Sequence, residues 1–446
     1  MLHSYEALDR VSLEDEMGPA PASGIGLLRP LRHSSFRLLW AGMTVSLLGD
    51  GIFLVALAWQ TYELWNAPAA LAVVGIAMTV PTVAFLLPAG VLSDRLDRRL
   101  LMLGADVLRL VAVALLAALA ISHALRLWQL VALVAAYGIG TAFFTPAFEA
   151  MVPTLLPSRD LPAANSLDQF VRPIAARLAG PAIGGALVAG IGTGGAFIFD
   201  AASFAGSLGA LLALASPGRP VVDHGESHVA ALREGLSFVR RRVWLWGTLV
   251  SAAIAYLLFL GPTEVLLPYL VKNALHGSGL DLGLVFAAGG VGAVFASVVM
   301  AQHGHPRRDV TFMYACWTVA TLAVAGYALA TASWQLMLAS LLFNALEAAG
   351  TIVWATIKQR HVPGNLLGRV SSLDWLVSIG LVPLSFALTA PIADAIGVRA
   401  TLIGAAVLGG AITLAALFLP GMRDIEGEIA RAGSRPLYGA EVPSRP

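Results

Sequence analysis

Three acidic residues, Asp50, Glu264 and Glu347, lie inside long apolar stretches of the sequence, where a charge is costly. A charged side chain within such a stretch faces a cavity or a partner. A buried carboxyl group can bind a proton near neutral pH, so these acids could take up a proton on one side of a membrane and release it on the other. The alternative is structural, with each acid paired to a helix end or a hydroxyl group.

One basic residue, Arg109, also lies within an apolar stretch and could balance these acids, or it could instead pair with Asp106 three positions earlier. Four further acids lie near the predicted ends of apolar stretches, where we expect pairing with Arg172, Arg177 or loop arginines: Glu149, Asp168, Asp200 and Asp374.

Other chemistries have no support in the sequence. We find no His/Asp/Glu cluster with metal-ligand spacing, no nucleophile elbow and no phosphate-binding loop. The single cysteine, Cys316, excludes an intrachain disulfide. We therefore expect neither an enzyme nor a metal site, and no cofactor other than a proton gradient as the energy source.

The composition requires lipid contact. The chain of 446 residues is 58% hydrophobic and only 12% charged, with a mean hydropathy of +0.78. Soluble proteins carry about 25% charged residues. A net charge of +1 with no basic face excludes a nucleic-acid partner.

Twelve apolar runs approach or exceed the length of about 20 residues that a membrane crossing needs. They must be helices, because the edges of open strands would leave backbone groups unpaired in lipid. The predicted fold is an all-α membrane protein, and its spans 1 to 12 cover residues 37–62, 69–92, 100–122, 128–151, 168–190, 194–215, 243–270, 280–301, 310–331, 334–357, 370–393 and 398–419.

Basic residues set the expected orientation. With the N-terminus inside, 22 of the 28 Lys and Arg residues fall on the inside and three in the outside loops. The first 30 residues are acidic and lack the apolar core of a signal peptide. We expect a multi-pass protein of the cytoplasmic membrane with both termini cytoplasmic. Its expected parts are an N-terminal tail (1–36), a six-helix bundle (37–215), a central loop with a short surface helix (216–242), a second bundle (243–419) and a C-terminal tail (420–446).

An internal repeat relates the two bundles at an offset of 206 residues. The tripeptide Trp128-Gln129-Leu130 recurs at Trp334, and Ser166-Leu167-Asp168 recurs at Ser372. The second six helices are therefore predicted to copy the first six in the same orientation. Two such repeats enclose a central cavity near the middle of the membrane.

A dense block of charge follows span 2. It reads Gly90-Val-Leu-Ser-Asp94-Arg95-Leu-Asp97-Arg98-Arg99. This block resembles the loop between helices 2 and 3 of the major facilitator superfamily, G-x-x-x-D-R-x-G-R-R, with Asp97 in place of the second Gly. The resemblance implies that Gly90 permits close helix packing, and that Asp94 meets a helix terminus and arginines to hold the cytoplasmic side shut.

A second motif lies in span 5 and comprises Gly180, Pro181, Gly184 and Gly185. It resembles the helix-5 signature of the drug–proton antiporter branch of that superfamily, which favours export, although the leading Gly is Ala176 here. The alternative is ordinary packing of small residues. The opening of span 1, from Phe36 to Gly51, is also similar to macrolide and siderophore exporters.

The resemblance implies a function and a cavity lining. Helices 1, 4, 7 and 10 line the cavity in the resembled fold, which puts Asp50, Glu264 and Glu347 on its wall. The superfamily's usual arginine in helix 4 is missing, and Arg109 is the candidate to replace it. The expectation is a monomeric exporter of amphipathic small molecules that works in the lipid bilayer by alternating access in exchange for protons. An uptake symporter of the same fold is the first alternative. A receptor or membrane enzyme is disfavoured, because no large soluble domain or polar constellation is present.

Overall fold

The computed structural model describes residues 28–157, 160–214, 228–303 and 306–426, and within these ranges the chain is helical. A short 3-10 helix, Arg29–Arg32, precedes the first bundle, and a helix at His228–Arg240 precedes the second. The first bundle consists of Ser34–Leu64, Pro68–Arg95, Arg98–Ile121, Leu127–Leu155, Leu161–Arg172, the π-helical Pro173–Ala179, and Gly180–Ala213. The second consists of Val243–Tyr269 with the π-helical Leu270–Ala274, Gly279–His303, Asp309–Ala323 with Ala325–Leu329, Ser333–His361, Gly364–Gly380 with Val382–Ile396, and Val398–Ala416.

Spans 5 and 6 form one continuous run, so the described residues contain eleven long apolar helices rather than twelve. The fifth runs over Ala163–Ala213, which is 51 residues. A straight helix of that length would measure about 77 Å, more than twice the hydrocarbon core. Gly192 breaks it with a φ of +76°, a backbone conformation that glycine adopts at little cost. The eleven helices therefore contain the twelve predicted crossings.

The internal repeat is visible in the geometry of spans 4 and 10. Leu127–Leu155 and Ser333–His361 are both 29 residues long, and their first residues lie 206 positions apart. Gln129 accepts a hydrogen bond from the backbone N–H of Arg126 at 2.8 Å, and Gln335 accepts one from Ala332 at 3.2 Å. The repeated Gln thus satisfies a free N–H group at the start of each helix.

Glycines let span 1 lie very close to spans 5 and 6. A Cβ atom placed on Gly51 would lie 2.7 Å from the carbonyl oxygen of Ala176 and 2.8 Å from the Cα of Gly180. A Cβ on Gly184 would lie 2.9 Å from the Cα of Ile52. Such contacts leave no room for a side chain, so backbone meets backbone.

The two bundles share a core on one side only. We call the side where span 1 begins and span 12 ends the terminal side, and the opposite side the far side. On the far side, one apolar cluster combines residues of both bundles, including Tyr62 and Val271. On the terminal side, the buried clusters of the described residues belong to one bundle each, around Met102 in the first and Tyr314 in the second. The halves are thus closed together on the far side and separately packed on the terminal side.

Polar contacts between nearly equivalent positions of the two halves, one residue off the repeat, reinforce the far side. The amides of Asn66 and Asn273, 207 positions apart, exchange two hydrogen bonds of 2.6 and 2.9 Å. Tyr62 and Tyr269, also 207 positions apart, pack edge to face with ring centroids 5.7 Å apart. The Tyr62 hydroxyl also donates to the carbonyl of Val265 at 2.6 Å. We call this set the far-side latch.

The first residues of the expected C-terminal tail pack onto the second bundle. Residues 420–426 lie there, with the Met422 side chain fully buried. Its methyl group lies over Gly247, and the Glu426 carboxylate accepts a hydrogen bond from the backbone N–H of Thr311 at 2.8 Å. The missing side chain at Gly247 creates the space that Met422 fills. The predicted surface helix is present at His228–Arg240, and residues 1–27, 215–227 and 427–446 of the tails and central loop lie outside the described ranges.

The close approach of spans 1 and 5 predicts different responses to two glycine substitutions. Gly51→Ala should lower the thermal unfolding midpoint in detergent, because forcing a methyl group into a filled interface costs about 1–3 kcal/mol. Gly104→Ala in span 3 is the matched control, since nothing lies within 4 Å of its added Cβ. It should leave the midpoint unchanged or raise it through higher helix propensity. Equal midpoints for the two variants would contradict this packing.

Candidate functional site

Asp50 is held in a fixed position between spans 1 and 4. Its carboxylate accepts a hydrogen bond of 2.6 Å from the hydroxyl of Tyr137. The Tyr137 ring stacks on Phe53, with centroids 4.5 Å apart and an interplanar angle of 12°. Asp50 is half-buried, so it lies at the boundary between the packed interior of the first bundle and its more open surroundings.

Arg109 lies deeper in the first bundle. Its guanidinium forms an ion pair with Asp106, whose other carboxylate oxygen accepts from the Ser207 hydroxyl at 2.7 Å. The guanidinium lies over the rings of Phe144 at 4.4 Å and Phe204 at 4.6 Å. Cation–π contacts of this kind stabilise a desolvated charge. The structural alternative left open by the sequence, pairing with Asp106, is therefore the geometry observed.

Arg109 nevertheless still interacts electrostatically with Asp50. Gly140 in span 4 leaves room for the Arg109 side chain, because a Cβ atom at position 140 would lie 2.6 Å from the Cγ of Arg109. Span 4 itself has no basic residue, and the arginine reaches its face from span 3 instead. The role of Arg109 as a substitute for the family's helix-4 arginine remains a prediction.

Asp200 also belongs to this site, which the sequence reasoning missed. We expected it near the cytoplasmic end of span 6, paired with an arginine. It lies instead eight positions after the turn at Gly192, in the half of span 6 that is nearer the far side, and it is fully buried. Its carboxylate meets the backbone of span 1 at Gly49 and interacts electrostatically with Asp50. The sequence feature that could have indicated this is the Gly49-Asp50-Gly51 run, because glycines on both sides of an acid permit another helix to pack beside it.

The other two candidate acids lie in the second bundle, apart from Asp50. Glu264 is half-buried in span 7, and its electrostatic partner is Arg177 of span 5. Glu347 in span 10 accepts a hydrogen bond from the Thr351 hydroxyl at 3.0 Å. The structure thus does not bring Asp50, Glu264 and Glu347 into one cluster, and their roles stay predictions.

Of the four acids expected to pair with arginines, Asp168 does so, binding Arg172 at 3.1 Å. Glu149 interacts electrostatically with the same arginine. Asp374, the repeat partner of Asp168, binds Lys358 and accepts from the indole N–H of Trp354 at 2.9 Å. The two halves therefore neutralise equivalent acids with different cations.

The charged block after span 2 forms hydrogen bonds to two other helices of the first bundle. Arg98 donates to the carbonyl of Ala150 at 2.9 Å, and Arg99 donates to those of Leu211 and Leu212 at 2.7 and 2.8 Å. These carbonyls lie in the last turns of spans 4 and 6, where cations are favourable. Asp97 caps span 3 by accepting from the N–H of Arg99 at 2.9 Å.

The gating role expected of this block remains a prediction. The side chains of Asp94 and Arg95 lie outside the described part of the structure. Among the described residues, nothing lies within 4 Å of a Cβ atom placed on Gly90, so its role in close packing also stays a prediction.

The helix-5 motif packs between the two halves. Gly180 and Gly184 face span 1, whereas a Cβ on Gly185 would lie 2.9 Å from the Cα of Gly283 in span 8. The carbonyl of Pro181 also faces Gly283. The motif therefore lets span 5 touch its own bundle and the second bundle at once.

The arrangement can bind protons. Three buried or half-buried acids of the first bundle, Asp50, Asp106 and Asp200, interact with Arg109, so their negative charges would outnumber its positive charge by two if all of them ionised. A second arginine that interacts with Asp50, Arg172, is already paired with Asp168. An excess charge of this kind in low dielectric is relieved by protonation. Among the described residues, no group of three or more His, Cys, Asp or Glu side chains could hold a metal ion.

Two curated bacterial proteins resemble the chain over most of its length. Macrolide efflux protein A of Streptococcus pyogenes is 23% identical over 368 residues, which is 82% of this chain and 90% of that protein. The multidrug efflux pump Tap of Mycolicibacterium fortuitum is 27% identical over 406 residues, covering 87% and 96%.

Solved structures share the fold. A bacterial homologue of the iron transporter ferroportin in the inward-facing state superposes with a TM-score of 0.65 at 16% identity, over 85% of this chain and 98% of that one. A POT family transporter superposes with a TM-score of 0.67 at 14% identity, over 85% and 95%. The sequence profile of the family described as transmembrane secretion effector matches residues 25–437. The chain therefore belongs to this family of the major facilitator superfamily.

Proposed function

We propose that this protein exports amphipathic small molecules across the cytoplasmic membrane by alternating access, in exchange for protons. The observation that carries the proposal is the excess of buried acid around Arg109, in a fold shared with proteins named for macrolide and multidrug efflux. Asp50 is the residue at which protons enter and leave, because it is the half-buried member of the group. No cofactor is needed, since the proton gradient supplies the energy.

The conformation fits one half of the transport cycle. With both termini cytoplasmic, the terminal side is the cytoplasmic side, and the structure is an inward-facing state closed by the far-side latch. Opening of the far side must break the latch, whose hydrogen bonds and ring contacts are each worth about 1 kcal/mol, and must also separate the apolar cluster that the two bundles share there. The close-packed glycines of spans 1 and 5 keep the first bundle rigid during that motion.

The charges indicate the class of substrate. Acids outnumber bases at mid-membrane depth, which favours cationic or neutral molecules. Aromatic residues of the second bundle add apolar surface there, with Tyr256 against Phe259 at 5.6 Å and Phe259 against Phe343 at 5.8 Å. An apolar, carboxylate-lined site suits a polyhydroxylated metabolite poorly, so export of amphipathic compounds is preferred over uptake. We propose that the protein acts as a monomer, because one chain contains both six-helix bundles.

Replacement of the half-buried acid should uncouple transport from protons. Asp50→Asn keeps a hydrogen-bonding group for Tyr137 but cannot carry a proton. In cells that express the variant, efflux of a fluorescent cationic dye should no longer respond to a protonophore and should fall to the level of cells without the protein.

Asp50→Glu is the matched control for that experiment, because it keeps a carboxyl group and should retain part of the protonophore-sensitive efflux. Energised efflux by Asp50→Asn at the wild-type rate would show that Asp50 carries no proton.

Linking the far-side latch should stop transport in the inward-facing state. Asn66→Cys with Asn273→Cys places two thiols across the latch, and the only native cysteine, Cys316, is buried. A short, reducible bifunctional thiol reagent should cross-link the pair and abolish dye efflux, and reductant should restore it. Each single-cysteine variant treated in the same way should keep its activity. Full efflux by the cross-linked double variant would rule out opening at the latch.

A further inference from the structure

Asp200 is a buried carboxyl group with unusually poor partners. It is fully buried in span 6, and among the described residues its Oδ2 atom has no hydrogen-bond partner. Its Oδ1 atom is 3.3 Å from the Ser203 hydroxyl, but that hydroxyl makes its shorter bond, 2.7 Å, to the backbone carbonyl of Asp200. A buried carboxylate normally receives several hydrogen bonds, because it has lost its water.

The charges that face Asp200 do not compensate for this loss. From span 1 it faces the acid Asp50, and from span 4 the uncharged hydroxyl of Tyr137. From span 3 it faces Arg109, whose guanidinium already pairs with Asp106. An ionised Asp200 would therefore add an unpaired negative charge beside another acid, and the neutral, protonated carboxyl group is the form that this site accommodates.

The position of Asp200 links it to the proposed proton route. Its carboxylate packs against the backbone of span 1 at Gly49, one position before Asp50, and it interacts electrostatically with Asp50. Asp50 is half-buried, whereas Asp200 lies behind it with no exposed surface. An outer acid and an inner acid of this kind can exchange a proton without moving a charge through lipid.

We propose that Asp200 is a second proton-binding residue of the transporter, which holds a proton in this conformation and exchanges it with Asp50. The exchange requires the two carboxyl groups to come within hydrogen-bonding distance of each other, and the O–H bond of the Asp200 carboxyl group then breaks as an O–H bond forms on the Asp50 carboxylate. Asp200 is left ionised and Asp50 neutral, and nothing is oxidised or reduced. This inference rests on the proposed proton-coupled function.

Infrared spectroscopy of the purified full-length protein tests the proton directly. Protonated carboxyl groups have a C=O stretching band that carboxylates and amides lack. A band of this kind should be present in the wild-type protein and lost in Asp200→Asn. Asp160→Asn is the matched control, because Asp160 is also buried but pairs with Arg29 and His33, both at 2.9 Å. It should leave the band intact. An identical carboxyl band in wild type and Asp200→Asn would overturn the proposal.

Transport in proteoliposomes tests the role of that proton. With a radiolabelled macrolide as the probe, Asp200→Asn should lose transport driven by a pH gradient and keep exchange of labelled for unlabelled macrolide without a gradient. Asp160→Asn should keep both. Gradient-driven transport by Asp200→Asn at the wild-type rate would refute the proposed role.

The two measurements separate this inference from the proposed function. If wild-type protein transports no macrolide in either assay, the choice of substrate or the exporter function fails, and the infrared band still decides whether Asp200 carries a proton. If Asp200→Asn loses macrolide exchange as well as gradient-driven transport, the infrared carboxyl band again decides whether Asp200 carries a proton. Its loss in the variant supports a proton site, and its persistence overturns one.

Discussion

The hydrocarbon interior of a membrane offers no water to a charge, and this constraint shapes the first bundle. Arg109 is accommodated only because Asp106 pairs with it and two phenylalanine rings cover it. Every further acid near this pair must find a proton or another partner. The constraint that makes charges rare in the chain also favours a proton on the few buried acids, and it is the physical basis of the proton coupling that we propose.

Glycine makes this arrangement possible. The buried acids can meet because spans 1, 5 and 6 approach at backbone distance, and Arg109 can reach the face of span 4 because Gly140 leaves the space. Small residues thus provide the room in which larger charged groups are positioned. In lipid, where no hydrophobic force draws helices together, such close packing is also what holds them.

The two halves are related by sequence but are used differently. Nearly equivalent residues form the far-side latch, in which Asn66 meets Asn273 and Tyr62 meets Tyr269. The cluster of buried acids around Arg109, by contrast, belongs to the first half alone among the described residues. The contacts that join the halves are therefore nearly symmetric, whereas this acid cluster is not.

The sequence by itself determined the twelve crossings, the repeat at 206 residues and the place of Asp50 inside a crossing, because apolar length, repeated motifs and a charge within an apolar run are local properties of the chain. It also predicted the family, which the matches confirm. It misplaced Asp200, left the partner of Arg109 open and grouped Glu264 and Glu347 with Asp50. Only the tertiary structure decided these points, because which acid meets which base depends on helix rotation and close approach, and neither is encoded in the hydropathy of a single span.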